Sequence, residues 1–236
     1  RVLFRFDEVG RVSQALQVEL LKYHDRLRSR HDSANPLAAV EAGRVTADTM
    51  MTVLAPGISC GDLQFQGLPR IIATAVLSGA DGMAVVDPGP SSTLPVLKRH
   101  LASIGAGVGD ITAILLTHIH LDHAGSTGTL LDENPGIAVY VHEAGAPHMI
   151  DPSRLLASAA RLYGDDMQRL WGDVLSVPAS AIRALAGGER VAVGGRALEV
   201  AYTPGHASHH VSFFCGDAGM AFDDPGPGVR HRAGDG

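Results

Sequence analysis

Cysteine is scarce in this sequence: 236 residues hold only Cys60 and Cys215, far apart and in no C-x-x-C pairing. A thiolate metal site is therefore excluded, and both thiols read as inert filler. Basic charge is short as well. With 19 Lys and Arg against 25 Asp and Glu the net charge is -6, which leaves no basic surface for nucleic acid or other anionic polymers. Long hydrophobic runs are missing too. Gly, Pro or charge breaks every apolar stretch before it reaches bilayer-spanning length, and residues 1–30 carry charges where a secretory signal needs an apolar core. The expectation is a cytoplasmic protein with no membrane partner. An initiating methionine is lacking: the chain opens on Arg1, which suggests a fragment, and Met50-Met51 reads as an alternative start.

What is present suffices for one sizeable core, with 45% apolar residues. Residues 12–30 place Val12, Leu16, Val18, Leu20, Leu21 and Leu27 on a loosely helical face, followed by a polar, Pro-containing stretch. Residues 1–50 thus read as an N-terminal helical extension and linker. From about residue 51 the texture changes to short β-type runs and Gly-rich turns. "IIATAVLSG" and "GMAVVDPG" predict a hairpin through "GADG", and "ERVAVGGRALEVAYT" predicts another turning on Gly194-Gly195. "HHVSFF" and "MAF" are joined by "CGDAG" in the same manner. "SSTLPVLKRHLASIG" predicts a helix with a hydroxyl N-cap, an apolar face of Leu94, Leu97, Leu101 and Ile104, and Gly105 as its stop. Residues 151–172 predict one capped helix, with Asp151 as N-cap and Pro152 at its first position. Strand pairs alternating with single helices indicate a layered α/β protein.

The chemistry concentrates in "THIHLDHAG", directly after the buried strand "ITAILL". His118 and His120 are two apart, so in an extended segment their imidazoles point the same way. Asp122 and His123 follow where the chain turns into a helix. A second source lies in "YTPGHASHH", where Pro204 and Gly205 force a turn that displays His206. Three neutral imidazoles with a fourth position open describe a catalytic zinc rather than a structural one, and His118, His120 and His206 supply that set. Asp87, at the end of the strand in "VVDPGP", needs a partner for its carboxylate. Hydrogen bonding to the histidine loop would orient the ligands from behind.

H-x-H-x-D-H after a buried strand, preceded by strand-D-x-G and followed by T-P-G-H, resembles the metallo-β-lactamase superfamily of hydrolases. It is most similar to the glyoxalase II-like branch, whose enzymes hydrolyse thioesters. The resemblance implies a four-layer αββα sandwich over residues 51–236, with the site at the edge where two sheets meet. It implies that His118, His120 and His206 bind one metal and that Asp122 and His123 bind a second, with Zn2+ as the first choice and Fe or Mn also accommodated. Asp122 would orient the attacking water. The expected function is metal-dependent hydrolysis of a thioester, ester or lactone carbonyl in a small-molecule substrate. β-Lactam or phosphodiester hydrolysis, an iron-dependent oxidoreductase and a metal-binding relative without activity are the alternatives.

The sequence departs from the family pattern in two places. Where a bridging aspartate is due, the counted position holds Pro225; Asp224 at the end of "MAF" is the preferred substitute, ahead of Asp217 in the "CGDAG" turn and of Asp223. The final histidine of the second metal site has no counterpart, since His231 sits in a charged, Gly-rich tail and reads as solvated. The second half of the sandwich is therefore expected to be incomplete. Either the chain is a fragment, or a partner such as a second copy in a homodimer covers the open face. His142, His148, His209 and His210 read as packing or hydrogen-bonding residues rather than ligands.

Overall fold

A computed structural model describes residues 51–223. The extension over 1–50, Asp224 and His231 lie outside the described residues.

Eleven strands form two sheets among these residues. The first runs in simple sequence order through β1 (Thr52–Ala55), β2 (Ile58–Asp62), β3 (Ala73–Gly79), β4 (Gly82–Val86), β5 (Ile111–Leu115), β6 (Ala138–His142) and β7 (Ile182–Leu185). β1 to β4 are antiparallel, whereas β4 to β7 are parallel and connected through helices. The second sheet is an antiparallel meander of β8 (Arg190–Val193), β9 (Arg196–Tyr202), β10 (Val211–Cys215) and β11 (Met220–Phe222). The predicted hairpins are all present. At the β8–β9 turn both Gly194 and Gly195 have positive φ, 56° and 71°, as a type I′ turn requires. A side chain on Gly194 would lie 2.7 Å from the Leu77 carbonyl oxygen, so this turn also brings the two sheets together.

Strand alternation assigns each side chain to one of two cores. Val76, Val85, Ile114, Val139 and Val141 face the helices, together with Leu97, Leu101, Leu130 and Trp171 from that layer. Leu77, Ala84, Val86 and Leu115 face the second sheet and meet Val193, Leu198, Val200, Val211 and Phe213. The layers are thus helix, sheet, sheet. Among the described residues no helix covers the outer face of the second sheet, where Ala192, Ala197, Ala201 and Phe214 are exposed. Nor is any helix among the described residues long and apolar enough to cross a membrane.

Helix ends are where sequence and structure differ. Helix α1 (Leu94–Ser103) follows a 3-10 turn over Ser91–Thr93, and Thr93 bonds backward to the Pro90 carbonyl at 2.9 Å instead of capping forward. Its backbone is already helical, with φ -99° and ψ 0°, so its hydroxyl is not placed as an N-cap. Leu94, Leu97 and Leu101 are buried as predicted, but Ile104 falls past the helix end and is 37% exposed. Helices α2 (Leu121–Ala124), α3 (Thr127–Glu133) and α4 (Ala146–Ile150) follow. The single helix expected over 151–172 is two, α5 (Ser153–Tyr163) and α6 (Met167–Trp171), because Gly164 turns to φ 51° between them. Pro152, not the expected Asp151, occupies the N-cap position, yet the Asp151 carboxylate one residue earlier still accepts from the Ser153 amide at 3.1 Å.

Leu97→Ala should lower stability by about 2–5 kcal/mol, since a fully buried side chain leaves a cavity. Ile104→Ala at the surface should change it by about 0.5 kcal/mol or less. Urea midpoints at unchanged slope measure both.

Candidate metal centre

Parallel neighbours β4 and β5 end side by side, and their C-terminal ends open onto the site. Asp87 follows β4 directly and its amide donates to the Leu115 carbonyl at 3.0 Å. There the backbone turns left-handed, φ 50°, a conformation Asp tolerates better than most residues. The chain then clamps α2: the Gly89 amide donates to the His123 carbonyl at 2.9 Å, and the Ser126 amide donates to the Gly89 carbonyl at 2.8 Å. From the neighbouring strand, Leu116 and Thr117 lead to His118, and His120 immediately precedes α2, which carries Asp122 and His123 in its single turn. The loop between β9 and β10 brings His206 across from the second sheet. Val211, at the end of that loop, donates its amide to the Thr117 carbonyl at 2.8 Å and stitches the two histidine loops together.

The imidazoles converge. The ring of His118 lies 4.6 Å from that of His120, 4.9 Å from His206 and 4.1 Å from His123, centroid to centroid. His120 Nδ1 and His206 Nε2 are 3.0 Å apart across a separation of 86 residues. One ligand atom each from His118, His120 and His206 lies within 4.8 Å of the other two, and the same holds for His118, Asp122 and His123.

Proton counting fixes how His118 is presented. The Asp87 carboxylate can only accept, and it receives the Thr117 amide at 2.9 Å, the Thr117 hydroxyl at 2.7 Å and His123 Nδ1 at 2.9 Å. With its only proton given to Asp87, the Thr117 hydroxyl must accept from His118 Nδ1, 3.1 Å away. The lone pair of His118 is then on Nε2. That atom is buried and has no hydrogen-bonding partner, a costly arrangement for a polar atom unless a ligand meets it. Burial, reinforced by the charges of His123, His120, His206 and His210, holds the His118 pKa well below the usual histidine range, so its lone pair is kept. The donor set therefore fits a divalent cation, with imidazole nitrogens and a carboxylate that suit zinc and its neighbours.

Asp122 and His123 form the second pair, with His123 Nε2 3.5 Å from Asp122 Oδ2. Burial alone would raise the Asp122 carboxyl, but the charge and hydrogen bond of His123 and the charge of His120 hold it at about 2. Burial alone would lower His123, but Asp122 and Asp87 outweigh it and raise its pKa well above the usual range. A cation on this pair has to displace the His123 proton.

The other candidates separate by place. Asp217, in the β10–β11 turn, is paired with Arg196 and is not part of the site. Asp223 accepts from the Ser212 hydroxyl at 2.7 Å and lies 3.6 Å from His210 Nε2. His142 is buried, accepts from the Ala144 amide at 3.1 Å and stacks on Tyr202. His148 lines a small apolar recess with Ile119, Leu121 and Met149. The half-buried His209 has its ring 5.6 Å from that of His120, and burial followed by the charge of His120 lowers its pKa to about 4. Burial pushes the Cys60 thiol up to about 11 and raises Cys215 as well, which makes both inert. Sequence reasoning passed over Thr117 and Thr203. Each is a hydroxyl beside a histidine loop, and that adjacency was the signal available.

Residues 68–222 match the metallo-beta-lactamase superfamily. Hydroxyacylglutathione hydrolases of Xylella fastidiosa M23 and of a Synechococcus strain are 33% and 30% identical over 60% and 59% of this chain. The chain spans less than half the length of these relatives, 43% and 41%. A metallo-beta-lactamase fold-containing protein of Sulfurisphaera tokodaii is 26% identical over 70% of this chain and 62% of its own. Among solved structures, a metallo-beta-lactamase family protein from Thermus thermophilus superposes with TM-score 0.53 at 27% identity, covering 70% of this chain and 57% of its own. A subclass B3 metallo-beta-lactamase from a soil metagenome library shares the fold, with TM-score 0.55 at 24% identity, over 70% of this chain and 57% of its own. The chain belongs to the metallo-beta-lactamase superfamily.

Proposed function

We propose that this chain is a metal-dependent hydrolase of thioesters, with His118, His120 and His206 holding one divalent cation and Asp122 and His123 contributing to a second position. The observation that carries the reading is the buried, unpartnered His118 Nε2 beside the 3.0 Å approach of His120 Nδ1 to His206 Nε2. Two ligands of one tetrahedral zinc at about 2.0–2.1 Å are roughly 3.3 Å apart, so the two side chains already stand near coordinating separation. A cation held there supplies Lewis acidity, which acidifies water into the neutral range and polarises a carbonyl.

The chain's own groups set up the rest. Asp87 and Thr117 fix the His118 tautomer, and Asp87 fixes that of His123. The Asp122 carboxylate, ionised at neutral pH, accepts a hydrogen bond from the attacking water and aligns it. Thioesters are favoured as substrates because the hydroxyacylglutathione hydrolases are 30–33% identical, whereas the B3 lactamase supports the fold alone.

The test is turnover of S-lactoylglutathione by the zinc-loaded chain, beside a homoserine lactone, nitrocefin and a phosphodiester. Thioester hydrolysis abolished by chelator is the expected result. Preference for another substrate would overturn the thioester assignment. Bound iron without ester turnover would point to redox chemistry, and silence across the panel with zinc bound would leave a metal-binding protein without this activity.

A further inference from the structure

A second polar network lies beneath the His206 loop. The Thr203 Oγ1 is 2.9 Å from His210 Nδ1 and 2.8 Å from Ser212 Oγ, and the Ser212 hydroxyl is 2.7 Å from Asp223 Oδ1. Proton counting again allows one direction. A carboxylate only accepts, so Ser212 gives its proton to Asp223 and must accept from Thr203. With its proton given to Ser212, Thr203 must accept from His210 Nδ1–H. The order is His210 to Thr203 to Ser212 to Asp223, each hydroxyl donating once and accepting once.

The geometry joins this relay to the loop at both ends. Thr203 and His210 flank the segment carrying His206, and their backbones are paired as well, the Thr203 amide donating to the His210 carbonyl at 3.1 Å. Within the loop the His210 amide reaches the Ala207 carbonyl at 3.3 Å. His210 is 2% exposed, and its ring lies 5.4 Å from that of His118. Fixing its ring therefore fixes the loop against the first histidine of the site.

We propose that His210, Thr203, Ser212 and Asp223 are positioning residues that hold the 203–210 loop closed, so that His206 meets His118 and His120 at one point. This rests on the reading of His206 as a ligand. It also assigns Asp223 a different role from a metal bridge, that of terminal acceptor in the relay. A one-way chain ending on a carboxylate is sensitive to loss of any hydroxyl, because the buried donor before it loses its acceptor.

The test compares Thr203→Val, which keeps the shape and removes the hydroxyl, with Thr203→Ser, which restores it, and with Ser212→Ala, using His206→Ala as the reference. Zinc dissociation constants from chelator competition and the visible spectrum of the cobalt-loaded protein are read for each, with circular dichroism of the metal-free chains. Loss of a group that orients a ligand costs about 10–100-fold in affinity, so Thr203→Val and Ser212→Ala should weaken zinc by that factor and shift the cobalt spectrum toward that of His206→Ala. Thr203→Ser should stay within about threefold of wild type. Wild-type affinity and spectrum in both Thr203→Val and Ser212→Ala, with His206→Ala weakened, would overturn the relay. A His206→Ala chain that binds zinc normally would instead overturn the ligand assignment.

Discussion

His118→Ala is expected to lose metal while the metal-free fold stays close to wild-type stability. A structural zinc contributes about 10–16 kcal/mol over four ligands, so one imidazole carries roughly 3 kcal/mol, more than a hundredfold in affinity. In the metal-free chain two effects oppose each other. Truncating a fully buried ring leaves a cavity, but it also removes the unpartnered Nε2, whose burial costs about 1–3 kcal/mol. The diagnostic is therefore a difference of differences. Zinc at a thousand times its dissociation constant should stabilise the wild type by about 4 kcal/mol. At roughly 2–4 °C per kcal/mol for a domain of this size, that is a rise of roughly 8–16 °C in Tm. With roughly 3 kcal/mol of binding lost, the same zinc should stabilise His118→Ala by only about 1 kcal/mol, a rise of roughly 2–5 °C. Melting curves with zinc and with chelator supply all four values. A variant that keeps the full zinc shift would remove His118 from the ligand set.

The strands and the candidate metal cluster were legible in the sequence because both are written locally. Short apolar runs bounded by turn residues specify β3 to β5, and Gly194-Gly195 admits few turns other than the one found. His118, His120, Asp122 and His123 lie within one short segment, and His206 sits on a turn that Pro204 and Gly205 impose, so convergence needed only that the two loops meet. Helix ends were less legible. Whether Thr93 caps forward depends on the 3-10 turn before it, and whether Gly164 interrupts a helix depends on the packing of α6, neither of which periodicity reports. The hydroxyl relays were not legible at all. Thr117 is 30 residues from Asp87, and Ser212 is 11 from Asp223, with direction set by proton counting in three dimensions. The same reasoning removes Asp217: its "GD" fits the family pattern, yet Arg196 holds it in a distant turn.

Asp87→Asn should weaken metal binding about 10–100-fold with little loss of fold, through the tautomer of His118 rather than through any contact with the cation. The Asp87 oxygen nearer the imidazoles, Oδ2, accepts from the Thr117 hydroxyl and from His123 Nδ1. An amide nitrogen placed there donates instead. The Thr117 hydroxyl then accepts from the amide and turns its own proton onto His118 Nδ1, which forces the His118 proton to Nε2 and covers the lone pair a metal needs. His123 faces the same reversal at its Nδ1. If the amide takes the opposite orientation, its NH2 meets the Thr117 backbone amide, and a buried donor is left facing a donor. Asn tolerates the φ of 50° as readily as Asp, so the backbone turn survives and the effect on binding stands alone. Asp87→Ala takes the shared acceptor away from three donors and adds left-handed strain, so its metal-free form should lose about 3–5 kcal/mol of stability as well. Chelator competition and urea unfolding of the two metal-free variants separate these outcomes. Wild-type zinc affinity in Asp87→Asn would show that the carboxylate does not set the histidine tautomers.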